Sequence, residues 1–137
     1  MAHLMCDSVL ERKNCLSSLV EGHLKNLGHS AEIIKNKMNS AGHTDTVLVS
    51  SSVGLVHCSA TPSTKSNAYI LVADFDAEGG QDYLADKDWV AFGWNRKDKT
   101  TSIMFLSVEA VRNKRRMSKQ EIIALRDRQL SIILTSV

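Results

Sequence analysis

Residues 44–76 read TDTVLVSSSVGLVHCSATPSTKSNAYILVADFD, and this stretch decides the fold. Thr46–Ser50 and Leu55–Ala60 are rich in Val, Leu and small side chains, and both read as strands bounded by turn residues. The connector SSSVG ends in Gly54, which can take the positive φ that a hairpin turn requires, so the two runs predict a hairpin. Asp45 stands at its opening. Ala68–Asp74 is a third strand-like run.

Working outward toward the N-terminus, residues 8–27 place Leu16, Leu19, Val20, Leu24 and Leu27 three and four apart, which puts them on one helical face. Asp7 suits the N-cap, and Gly28 is placed to end the helix with positive φ. Residues 31–38 predict a strand on the β-branched pair Ile33 and Ile34. Toward the C-terminus, Trp89–Trp94 and Ser102–Leu106 predict a second hairpin, joined by the polar NRKDKTT. Ser118 with Glu121 three residues later is a capping box, so a final helix starts there. These elements predict one α/β domain over residues 1–137, with a central mixed sheet of about five strands and a helix at each end.

Composition agrees. A chain of 137 residues buries one core without staples, and 43% hydrophobic with 23% charged residues is ordinary for a globular domain. No apolar run approaches the roughly 18 residues that cross a bilayer, and MAHLMCDSVLER lacks the basic start and apolar centre of a signal peptide. Cys6, Cys15 and Cys58 are odd in number and include no CxxC pair. They read as reduced thiols of a cytoplasmic protein, with no membrane partner.

The net charge of +2 is small but unevenly placed. Asp74, Asp76, Glu78, Asp82, Asp86 and Asp88 cluster against Lys87, whereas Arg112, Lys114, Arg115, Arg116 and Lys119 form a basic run. Closely spaced bases displace counterions from nucleic acid, so this run is the candidate nucleic-acid contact, beside the plainer reading of a solvated linker. Trp94, next to Asn95, Arg96 and Lys97, is read as an exposed indole at a hairpin tip.

The words LVEGHLKNLGH, TDTVLVSSSVGLVHCSAT and DKDWVAFGWNRKDKTTSIMFL, in that order over residues 16–111, resemble the PD-(D/E)xK nuclease-like superfamily, including its restriction endonuclease-like and resolvase-like members. The resemblance implies a metal site built from an Asp at the start of the second strand, then an acid or Gln and, two residues later, a Lys on the third. The acids would hold a divalent cation and the Lys would position the attacking water. Asp45 matches the first position. His57 and Ser59 stand where the other two belong, and Ser59 supplies no positive charge. Glu21 and Lys65 are the residues that could migrate into such a site.

Other patterns carry less. In DFDAEGGQD the spacing of Asp74, Asp76, Glu78, Gly79 and Asp82 follows a calcium loop, but Ala85 occupies the position that needs a bidentate Glu. The segment reads as a solvated acidic loop. The histidines show no HExxH or CxxC companion, so no metal and no cofactor is expected.

The expected function is therefore a non-catalytic binding module resembling a decayed nuclease-like domain, with nucleic acid or a protein as partner. A metal-dependent nuclease with a relocated Lys is the competing reading. A small adaptor or immunity-type protein from a mobile gene cassette is a third. The final helix carries apolar residues on more than one face, which predicts a homodimer through Ile123, Leu130, Leu134 and Val137.

Overall fold

The computed structural model describes residues 9–37, 46–61, 63–72, 87–98, 100–112 and 114–126. Asp7, Asp45, the acidic stretch 73–86 and the residues after Arg126, including Leu130, Leu134 and Val137, lie outside the described residues.

Helix α1 (Val9–Asn26) buries Leu16, Val20 and Leu24 completely, as the helical spacing predicts. Each such burial contributes roughly 1.5–3 kcal/mol relative to exposure. Gly28, at φ 89°, ends the helix. Its N–H donates to the Lys25 carbonyl at 3.0 Å, and the His29 N–H reaches back to the Leu24 carbonyl at 3.0 Å. This crossed pair satisfies carbonyls that a helix end leaves open.

Five strands follow: β1 (Ala31–Lys37), β2 (Thr46–Ser51), β3 (Gly54–Thr61), β5 (Trp89–Asn95) and β6 (Thr101–Ser107), in the spatial order β1-β2-β3-β5-β6. Neighbours are antiparallel except β3 and β5, which run parallel, so the sheet is mixed. The β2–β3 hairpin is tighter than the connector implied. Ser51 pairs with Gly54, leaving Ser52 and Val53 as the turn, and Gly54 has φ 123°. Asp88 locks this corner: its carboxylate accepts the Leu55 N–H at 2.9 Å, its own N–H donates to the Leu55 carbonyl, and its carbonyl accepts the Val108 N–H. It is a structural clasp, although the sequence groups it with the solvated acids.

The run at 68–74 does not join the sheet. Among its described residues, 68–72, the strand is β4 (Tyr69–Leu71), which pairs antiparallel with β7 (Arg116–Ser118) in a separate two-stranded ribbon. The physical reason is burial. Tyr69 and Leu71 are exposed while Ile70 is buried, so this strand has one face for a core. The slot beside β3 needs a strand buried on both faces, and Val90–Asn95 meets that requirement because every residue is buried.

The strand alternation divides the core in two. On one face α1 covers Val49, Val56, Cys58 and Ala91. Gly93 permits its approach, because a Cβ there would stand 2.6 Å from a Leu16 methyl. On the other face Val90, Phe92, Trp94 and Leu106 pack under Ile70, Val72 and Met117, with Val108 and Val111 of the short α2 (Val108–Val111) and Ile122 of α3 (Lys119–Leu125). The capping box at α3 is present in full, Glu121 N–H to Ser118 Oγ and Ser118 N–H to Glu121 Oε1. Among the described residues no helix is long and apolar enough to cross a membrane.

Candidate functional site

Of the sequence-nominated catalytic residues, the described ones, Glu21, His57, Ser59 and Lys65, do not converge. His57 and Ser59 alternate with Val56 and Cys58 on β3, so they point away from α1. His57 is fully buried, and the Ser59 hydroxyl donates to the Val72 carbonyl at 2.8 Å beneath the β4 segment. Glu21 belongs to α1, on the opposite side of the sheet, and pairs with Lys25 at 3.7 Å. The sheet separates it from His57 and Ser59, which removes it as a substitute ligand there. Lys65 is exposed in the loop after β3, its N–H bonded to Ser63 Oγ. Asp45 is outside the described residues. No group of three or more His, Cys, Asp or Glu able to hold a metal ion occurs among the described residues.

The basic run does not form one patch either. Arg112 pairs with Glu109 at 2.5 Å, and Lys114 lies 3.6 Å from Glu121. Arg115 and Arg116 are exposed, the latter with its guanidinium 5.0 Å above the Tyr69 ring. Lys119 is 4% exposed and turns inward. Its backbone N–H donates to Ala68, and its ammonium donates to the Ser63 carbonyl at 2.7 Å and lies 5.5 Å from the Trp94 ring centre. Burial alone holds its pKa below the ordinary lysine value.

Trp94 likewise differs from expectation. It is 6% exposed and forms the floor under Lys119 rather than a protruding indole. Rather than standing at the hairpin tip, the ring is carried by the alternation along β5 into the core with Val90 and Phe92.

What the fold does build is a groove of about 290 Å³, lined by Thr64 and Ser66 from the loop after β3, Trp94, Asn95, Arg96 and Lys97 from the end of β5, and Lys119, Gln120 and Ile123 from α3. It lies beyond the carboxyl ends of the parallel pair β3 and β5, where open α/β sheets place ligands. Among the described residues its lining carries the cations Arg96, Lys97 and Lys119 and no acid. The acid of the adjoining turn, Asp98, accepts the Thr100 hydroxyl and N–H, and these bonds, with Arg96 further off, keep its carboxyl below the usual range. The sequence signal for this groove was NRK after a buried strand; the contribution of Lys119 was not visible, because only the fold brings α3 against that turn.

A second concavity of about 430 Å³ lies between α1 and β6, lined by Leu19, Gly22, His23, Thr101 and Ile103 among others. Among the described residues its lining includes no Asp, Glu, Lys or Arg. Comparison of the chain with protein-family models, with curated proteins and with solved structures finds no match.

Proposed function

We propose that this chain is a non-catalytic binding module, resembling a decayed nuclease-like domain and working in the cytoplasm as a homodimer. The observation that carries this reading is the state of β3. The positions where the resemblance calls for a metal-binding acid and a water-positioning lysine hold His57 and Ser59, both buried beneath β4, with the Ser59 hydroxyl committed to Val72. A divalent cation and a phosphodiester need an open, acidic site. The order of helix, meander, crossover and parallel strand also supports the resemblance.

The dimer rests on α3, where Ile123 and Leu125 remain 45% and 44% exposed while Ile122 fills the core. Leu125, at the last position of the helix, is exposed as well.

Incubation of the full chain with plasmid and junction DNA in magnesium or manganese tests the catalytic half. No cleavage is expected, and turnover abolished by Asp45→Ala overturns the reading. Light scattering tests the dimer, which Ile123→Glu with Leu125→Glu should dissociate.

A further inference from the structure

The groove over Trp94 contains a buried cation that no anion among the described residues matches. Lys119 is 4% exposed, yet its ammonium has one carbonyl acceptor and one ring face, and none of the ion pairs described includes it. An ammonium offers three donors. Removing such a charge from water is costly unless an opposite charge accompanies it. Burial lowers its pKa, and no carboxylate among the described residues pairs with it.

Arg96 and Lys97 are exposed and line the same cavity, as do Thr64 and Ser66. Donors and positive charge are thus in excess, which matches a dianionic group with several acceptor oxygens better than a single carboxylate. The volume of about 290 Å³ is at the small end of ligand pockets and admits a compact molecule, whereas a strand of nucleic acid needs a continuous basic track.

We propose that this groove binds a small phosphomonoester, its phosphoryl oxygens taken by Lys119, Arg96 and Lys97. The inference deepens the non-catalytic reading by naming a ligand chemistry, and its failure leaves that reading intact, because cleavage and binding are measured separately.

The experiment is calorimetric titration of the full chain with ribose 5-phosphate, inorganic phosphate, acetate and a short thymidine oligonucleotide. Saturable binding of ribose 5-phosphate, displaced by inorganic phosphate and not by acetate, is the expected result. Arg96→Glu, on the surface, should weaken it at least tenfold. Lys119→Met keeps the length of the side chain and its packing on Trp94, and should weaken it by as much while the circular dichroism spectrum is unchanged. If that variant fails to fold, Lys97→Glu takes its place. Binding absent from the wild type, equal competition by acetate, or affinity unaltered in these variants overturns the proposal. Oligonucleotide binding tenfold tighter than ribose 5-phosphate, lost in the same variants, also overturns it, in favour of a strand-backbone site.

Discussion

The two faces of the central sheet are covered in opposite ways. Over one lies a single helix whose Leu16, Val20 and Leu24 form a continuous apolar stripe, specified within nine residues of sequence. Over the other lies a cover assembled from β4, α2, β7 and α3, drawn from residues 69–125, which buries Lys119 of its own and the polar His57 and Ser59 of β3. The first face is built mainly by apolar burial, with Ser17 a fully buried polar residue of its helix. The second carries the polar chemistry, and its loops, joined at Ser63, Ala68 and Lys119, enclose the groove. Function in α/β domains gathers where short segments meet a rigid sheet, and the proposed phosphomonoester groove lies at such a junction.

The comparison breaks most sharply under large-to-small substitution. Leu24→Ala should cost about 2–5 kcal/mol, measured by urea denaturation, and should speed hydrogen exchange throughout the sheet, because one helix secures that whole face. Ile122→Ala removes a side chain that is equally buried, with a cost in the same range of about 2–5 kcal/mol. Its exchange signature should differ: amides of β4, β7 and α3 are released while β2, β3 and β5 stay protected. Uniform release in both variants would show that the patchwork is as cooperative as the helix.

Gly93→Ala probes the closeness of the helix-covered face. A Cβ would meet Leu16 at 2.6 Å, and although that contact is the end of a side chain, Leu16 is itself fully enclosed. We expect a loss of about 1–3 kcal/mol from overpacking. A neutral result would mean that α1 can shift over β5, and the contrast between a rigid and a composite cover would lose its basis.

On the composite face, Ser59→Ala deletes the donor to the Val72 carbonyl. The loss should be about 1 kcal/mol, with faster exchange confined to the β4 segment. Retention of full protection there would show that apolar packing of Ile70 and Val72, not the Ser59 bond, seats β4 on the sheet.

How much of this was legible in the sequence follows the same division. The stripe of α1, the positive φ of Gly28 and Gly54, both hairpins and the capping box at Ser118 are local patterns, each decided by residues close in the chain, and each appears in the structure. The exclusion of β4 from the sheet was not legible, since a run such as AYILVAD suits either a sheet or a ribbon laid over one. Which slot it takes depends on competition with Trp89–Asn95 for the edge of β3. Lys119 was misread for a related reason. Its neighbours in sequence are bases, but its neighbours in space are a carbonyl and an indole contributed from Ser63 and Trp94. A charge run shows where cations are, and only the tertiary contacts show which of them face water. The migration of Glu21 toward His57 failed because a helix covers one face and the odd positions of β3 face the other.

The smallest effect concerns the charge of Lys119. Burial lowers its pKa in the folded protein, while the unfolded chain has the ordinary lysine value of about 10.4. At pH below the folded value both states hold the proton, and folding bears the full cost of burying the charge. As pH rises from the folded value toward the unfolded one, the unfolded chain holds a proton that the folded chain has released, so this residue's contribution to stability rises with pH. The other titrating groups are shared with Lys119→Met and cancel in the difference. Denaturation of both proteins over the alkaline range should therefore show the wild type gaining on the variant in the window just below the ordinary lysine value. Saturating phosphate should flatten that gain, because an anion in the groove favours the charged ammonium. A difference independent of pH would mean that the Lys119 ammonium is as well solvated as one on the surface, and the buried cation that distinguishes the composite face would be no different from the bases around it.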